Sequence, residues 1–326
     1  MTERTWLSKG DFIDLYHKIR LKGYFNLLSH FSFSGQARVR AKWNHVEGES
    51  DFWSIAEVRQ RWNEKCTGHP DLGYEAYLCA KYFDNLSGLS LLSVGCGSGS
   101  REQRFAGHKA FSRVVGIDVA ENQVNEARKK ARDLNNVSYL TGDFRTALFD
   151  KGSFDVILFN SSLHHFKAID QLLEKRVKPL LKEGGFLVIF EYVGPDRLQW
   201  TSEQLRFANK LLASIPSDYR RRWGTRIVKK RIYRPGWLRM HLIDPSEAVD
   251  SASILPAIHK HFKIIEERKA GSDILHILLK DIAHHFTSDD SESQRILQRL
   301  FDEEDRYMAE TGRSDYIFGL YQNQPV

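Results

Sequence analysis

Cysteine is scarce. The chain has three, Cys66, Cys79 and Cys96, too few and too scattered for a disulfide framework or a zinc site. Long apolar runs are missing too. No stretch reaches the roughly 18 uncharged apolar residues that a membrane-spanning helix needs, so no membrane span is expected. The opening segment, MTERTWLSKGDFIDLYHKIR, carries charges throughout and has no apolar core of the signal-peptide kind. These absences together set the expectation of a reducing, cytoplasmic environment. Internal repeats and low-complexity tracts are also absent.

What remains is the composition of a globular protein with a substantial core: 326 residues, 41% apolar and 12% aromatic. Net charge is +6 and the pI is about 9.1. The charge is unevenly spread. Residues 220–239, RRRWGTRIVKKRIYRPGWLR, hold nine Lys or Arg and no acid, whereas residues 289–310 hold eight acids against three Arg. Such a separation implies either an anionic partner or an internal pairing of the two segments.

Residues 1–85 read as a helical extension or cap, with Trp6, Trp43, Trp53 and Trp62 spread through it. In SIAEVRQRWNEKC, Ile55, Val58 and Trp62 recur at helical spacing, and Ser54 with Glu57 has the pattern of a capping box. Gly68 to Pro70 breaks that helix, and a second, at about 74–85, follows. From residue 86 strands and helices alternate. Strands are expected at Leu91–Val94, Val114–Ile117, Val137–Thr141, Phe154–Asn160 and Phe186–Tyr192, and helices at about 101–109, 121–134, 168–182 and 246–260. The alternation predicts a parallel sheet covered by helices, with residues 86–192 as its cofactor-binding core. Two more strands are expected at Phe262–Arg268 and Ile274–Lys280. Their short separation makes them an antiparallel pair, so that 246–282 ends the sheet. The basic, aromatic segment 193–245 interrupts the alternation at the carboxyl edge and reads as an inserted lid. Residues 283–326 read as an acidic helical tail with Ile296, Leu297, Leu300 and Phe301 on its apolar face.

The chemistry concentrates around LLSVGCGSGS, residues 91–100. An apolar run stops at Gly95, and Gly97 and Gly99 follow at alternate positions. The glycines allow close backbone approach to a ligand and φ values other residues avoid. Apolar residues return at Val114–Ile117 and end in Asp118, placed to accept hydrogen bonds from ribose hydroxyls. This pattern points to an adenosine-type cofactor. The spacing lacks the further glycine of the dinucleotide turn. GDF at 142–144 offers Asp143 to an adenine amino group, FDVILFNSSLHHF ends a fourth strand in polar residues, and LLKEGGFLVIFEY is a helix end, a turn and a fifth strand.

As a set, these residues resemble the class I S-adenosylmethionine-dependent methyltransferases, over about 86–192 and 246–282. The resemblance implies a Rossmann-like, mostly parallel seven-stranded sheet with an antiparallel last strand. It implies S-adenosyl-L-methionine as cofactor and S-adenosyl-L-homocysteine as product. It places Gly95, Cys96, Gly97 and Gly99 around the amino-acid part of the cofactor, Asp118 on the ribose, Val119 against the adenine ring, Asp143 and Phe144 on the adenine edge and face, and Asn160 near the methionine portion. One position departs. Many members carry an acid directly before the first motif's Val-Gly, where this chain has Ser93. The role of orienting the cofactor's ammonium then falls to a backbone carbonyl or another side chain.

His164 and His165 end the fourth strand and either is a candidate base; on an extended segment only one of them faces the site. Glu191 ends the fifth strand inside an apolar run, where an unpaired carboxylate is unfavourable; it is a base, a substrate contact or the partner of a nearby arginine. Tyr192 and Trp200 are candidates to line an acceptor pocket, Arg220 and Arg222 to meet an anionic acceptor; packing and internal pairing are the plainer alternatives. Cys96 reads as a small filler in the turn. Methyl transfer itself requires no metal.

The leading expectation is an S-adenosylmethionine-dependent O-methyltransferase acting on a small-molecule or glycan-like, anionic acceptor, the chain being a monomer or homodimer. Oxygen is favoured because the fourth strand is followed neither by an Asn/Asp-Pro-Pro-aromatic clamp nor by a Pro-Cys pair. An RNA methyltransferase, with 220–239 tracking phosphates, is the second reading. A cofactor-binding protein that no longer methylates is the third.

Overall fold

A computed structural model of the chain describes residues 6–22, 52–242 and 245–324. The apolar run Leu89–Val94 forms β1, buried at every position because it lies at the middle of the sheet with cover on both faces. Around it lie β2 (Phe111–Asp118), β3 (Val137–Thr141), β4 (Phe154–Asn160), β5 (Leu181–Tyr192), β6 (Phe262–Gly271) and β7 (Tyr316–Asn323), in the spatial order β3-β2-β1-β4-β5-β7-β6. β1 to β5 pair in parallel, and β7 runs antiparallel to both of its neighbours, β5 and β6. This is the Rossmann-like seven-stranded sheet with one antiparallel last strand that the sequence implied.

The identity of that last strand differs from expectation. Residues Ile274–Leu279 form a helix, not a strand, and the antiparallel partner of β6 comes from 316–323, inside the segment read as a purely helical tail. The run ILHILL is buried at all but one position, so it has neither a two-residue nor a 3.6-residue period to decide between strand and helix. The tail therefore completes the sheet, and the boundary drawn at 282 divides one unit.

The N-terminal part supplies α1 (Lys9–Lys22), α2 (Ala56–Thr67) and α3 (Tyr74–Leu78); Trp43 lies outside the described residues. Gly68, at φ +86°, ends α2, its N–H donating to the Glu64 carbonyl. The helix boundary differs by one residue from the capping-box reading at Ser54 and Glu57. Phe52–Ser54 is a 3-10 turn, and the helix starts one residue later on Ile55, which has no capping side chain. The sheet is covered by α4 (Ser100–Ala106), α5 (Glu121–Lys130), α6 (Ile169–Leu172, continued by a π turn to Val177) and, later, α9 (Ile254–His261). Two apolar clusters, one on each face, bury most of the strand residues.

The insertion after β5 contributes α7 (Ser202–Ser214), opened by a Thr201–Gln204 capping box, and α8 (Trp237–Leu242). α7 packs on α10 (Ile274–Leu279), and the Gln204 amide donates to the Ser272 carbonyl and to Asp315. α11 (Ser291–Thr311) buries Ile296, Leu297, Leu300 and Phe301 as expected. Among the described residues, its acids form no ion pair with the basic insertion. Asp305 and Glu304 receive the Arg61 guanidinium of α2, and Asp305 also receives Lys65. No described helix is long and apolar enough to cross a membrane.

Candidate active site

The parallel strands deliver their polar ends to one edge, and the glycine turn follows β1 there. Gly95, Gly97 and Gly99 all take positive φ, at 73°, 52° and 81°. A Cβ at Gly95 would lie 2.5 Å from Ser162 Cβ, and one at Gly99 would lie 2.5 Å from the Tyr139 hydroxyl. A Cβ at Gly97 would meet nothing within 4 Å, so here the backbone borders open space. The Asp118 carboxylate spans the turn: one oxygen accepts the Gly97 N–H at 2.9 Å, the other the Ala120 N–H at 2.8 Å. Each oxygen retains acceptor capacity for a hydroxyl. Cys96 sits where the filler reading placed it, its sulfur against Gly116 in β2, and burial pushes its thiol pKa up.

Asp143 and Val119 lie at the same edge, after β3 and β2. Asp143 is bound by Arg145 through two nitrogens, at 2.5 and 3.0 Å. Phe144 departs from expectation. Its ring is buried between Phe159, Phe166 and the Arg176 guanidinium. It backs the wall of the site and offers no open face to an adenine.

The two histidines and Glu191 do come together, by a geometry the sequence did not suggest. Leu163–His165 is a 3-10 turn, not the end of a strand, so the rings of His164 and His165 lie 4.2 Å apart instead of on opposite faces. Glu191 is completely buried, and its partners among the described residues are backbone N–H groups and a histidine, not an arginine. One of its oxygens accepts the N–H groups of Ser162 and Leu163, at 2.5 and 2.6 Å; the other meets His164 Nδ1 at 2.6 Å. Three partners around one carboxylate fix the orientation of the His164 ring. His164 Nε2 faces Glu247, from the end of the insertion, at 3.6 Å. His164, His165 and Glu247 each present a ligand atom within 4.8 Å of the others, a spacing open to a metal ion. A proton on His164 between its two carboxylates satisfies the same geometry.

The residues expected to recognise an acceptor turn inward. Trp200 is buried, its indole N–H donating to Asp273 at 2.5 Å. Tyr192 is buried beside His164 and Tyr316, its hydroxyl on the Pro195 carbonyl. Arg222 is buried in an ion pair with Asp281, with Asp14 at 3.7 Å. Arg220 is half-buried in the strip that bridges to Lys229. Lys229 is itself buried, with three carbonyls at the end of α10 taking its three N–H groups; burial pulls its pKa down to about 7. These side chains hold the insertion to the body.

The open space lies elsewhere. A cleft of about 820 Å³ runs between α2, α3 and α4 and has Asn160, Ser161 and Phe190 at its inner end. Asn160, expected near the cofactor, accepts the Tyr74 hydroxyl at 2.8 Å, and the Tyr74 ring stacks on Phe190 at 5.7 Å. Arg101 and Arg104 line the cleft and share one oxygen of the buried Glu75. Sequence reasoning missed Tyr74, Glu75, Arg101 and Glu247. The first two sit in an extension without motif, and nothing in the local pattern around 247 marks it.

Comparison with known proteins bears on this edge. A family model described as a methyltransferase domain matches residues 92–189, from β1 into β5. Residues 92–189 are a class I S-adenosylmethionine-dependent methyltransferase domain. Its cofactor is S-adenosylmethionine, and the open backbone at Gly97 with Asp118 beside it fits that group. An uncharacterised 37.1 kDa transposon protein of Streptomyces fradiae is 29% identical over 195 residues, 59% of this chain and 51% of its own length. The demethylmenaquinone methyltransferase of Lactococcus lactis is 31% identical over 118 residues, 35% of this chain and 46% of its own. The chain thus spans about half the length of these curated relatives. Among solved structures, phosphoethanolamine N-methyltransferase 2 of Haemonchus contortus is similar at 15% identity with a TM-score of 0.48, over 92% of this chain and 60% of that one.

Proposed function

We propose that this protein transfers a methyl group from S-adenosylmethionine to a hydroxyl of a small-molecule or glycan-like acceptor. The observation that carries the oxygen assignment is the buried Glu191–His164 pair at the tips of β5 and β4, a few residues along the chain from the inner end of the cleft. The cofactor supplies an activated methyl on a sulfonium, so the protein's own work is alignment and proton removal. The turn at Gly95–Gly99, with Asp118, Asp143 and Asn160, would hold the cofactor. Glu191 fixes the His164 ring and stabilises the imidazolium formed when Nε2 takes the hydroxyl proton; Glu247, opposite, favours the same charge. Tyr74 and Phe190 close one wall and exclude water.

An acceptor smaller than RNA is supported by the fate of the basic run. Arg222, Lys229, Arg234 and Arg239 are engaged with Asp281, backbone carbonyls and Asp14 and so are not arrayed for phosphates. The test has two parts. Calorimetry should show S-adenosylmethionine and S-adenosylhomocysteine binding; absence of both would overturn the reading. With labelled cofactor and cell extract, His164→Gln should cut transfer ~10²–10⁴-fold while leaving cofactor affinity in place. Labelled product of RNA size, or full activity in the variant, would refute the hydroxyl reading.

A further inference from the structure

Beneath the glycine turn lies a second carboxylate that the mechanism has not used. Glu102, in the first turn of α4, is 1% exposed, and Ser93, in β1, is 1% exposed opposite it. Its carboxylate lies beside the Ser93 hydroxyl, burial pushes its pKa up to about 7, and among the described residues Oε2 is buried with no hydrogen-bond partner. Tyr139 and Cys96 border the same space, and the Tyr139 hydroxyl donates to the Gly99 carbonyl at 3.0 Å.

A buried acid with an unused oxygen is costly, so its position calls for a reason. An acid that merely complements the start of a helix does so from the surface, where its charge stays hydrated. Glu102 instead is buried where α4 meets β1, close to Ser93 and to Cys96 of the turn. A serine at position 93 is too short to carry charge to the turn, and Glu102 supplies it from the other wall.

We propose that Glu102 is the positioning acid of the cofactor site, supplied from helix α4 in place of an acid on strand β1, and that it sets the glycine turn and the negative potential that receive the cationic cofactor. The inference rests on the methyltransferase reading and sharpens it. Two consequences distinguish it from a role in stability alone. Position 93 and position 102 compete for one carboxylate. Above about pH 7, where Glu102 is ionised, negative charge beneath the turn also favours S-adenosylmethionine, which carries one more positive charge than S-adenosylhomocysteine.

The experiment is a double-mutant cycle on the full chain, read by thermal unfolding without ligand and by calorimetry with each nucleoside. Ser93→Asp alone places two carboxylates in one buried space and should lower Tm; Ser93→Asp with Glu102→Ala should return it. Glu102→Ala, and the milder Glu102→Gln if Ala does not fold, should weaken S-adenosylmethionine about 10-fold and S-adenosylhomocysteine less. The double variant should restore the first affinity to within a few-fold. Equal loss for both nucleosides, wild-type affinity in Glu102→Gln, or failure of Ser93→Asp to rescue Glu102→Ala would each overturn the proposal. If the wild-type protein binds neither nucleoside, the methyltransferase reading falls and takes this inference with it; the Tm arm still reports whether the two positions share one site.

Discussion

Asp315, just before β7, shows how one buried residue can set the pH response of the fold. Burial and the neighbouring charge of Asp273 push its carboxyl up to about 7, while the Gln204 amide donates to it. The unfolded chain releases this proton near pH 4. Between about 4 and 7 the native state therefore holds a proton that the unfolded state has lost, and stability falls as pH rises through that window, levelling off above it. Asp315→Asn should flatten that slope. Urea unfolding at pH 5 and pH 8 should show the variant gaining on the wild type at the higher pH by on the order of 1–3 kcal/mol; an unchanged difference would place the titration elsewhere. At this same scale the sequence was informative where a motif dictated the residue. Asp118 and the glycines stand where their spacing put them. Trp200 and Arg222 did not follow from pattern, because an aromatic or an arginine in an insertion packs inward or outward according to partners far along the chain, here Asp273 and Asp281.

Between elements, the most consequential contact joins α2 to α11. The Arg61 guanidinium grips Asp305 through two nitrogens, reaches Glu304 at 3.2 Å and lies over the Phe301 ring. Glu304 is buried and also accepts the Ser272 hydroxyl and the Leu275 N–H. Removing the guanidinium leaves a buried charge with only neutral donors. Arg61→Ala should cost about 3–5 kcal/mol in urea unfolding, and adding Glu304→Gln should recover a large part of it. If the single change is silent, the pair does not hold the extension to the tail. The sequence showed both elements as helices but not their meeting, since 243 residues separate Arg61 from Glu304 and a charge pattern names no partner. The same ambiguity of short apolar runs hid the choice between ILHILL and YIFGLY for the last strand. Each is about six largely apolar residues, Ile and Leu around one His in the first and with three aromatics in the second, and tertiary pairing alone decided.

Over the whole molecule, the sheet from β1 to β5 was legible because parallel strands buried on both faces print continuous apolar runs. The surrounding cap was not, because its residues answer to each other rather than to a repeat period. β7 makes the tail and the core inseparable. It pairs with β5 along Phe186–Tyr192 and with β6 along Phe262–Gly271. A chain ending at Gly312 should therefore fail to fold cooperatively, seen as loss of a sharp thermal transition; a native-like transition would mean that β5 and β6 close on each other. The placement of β7 also fixes an order of events on the ribosome. The strand that separates β5 from β6 is the last of the seven to be translated, so β5 lacks its second neighbour and β6 its only one until the other six have been made. The nascent polypeptide must carry two unzipped edges while the long helix before β7 is still being added.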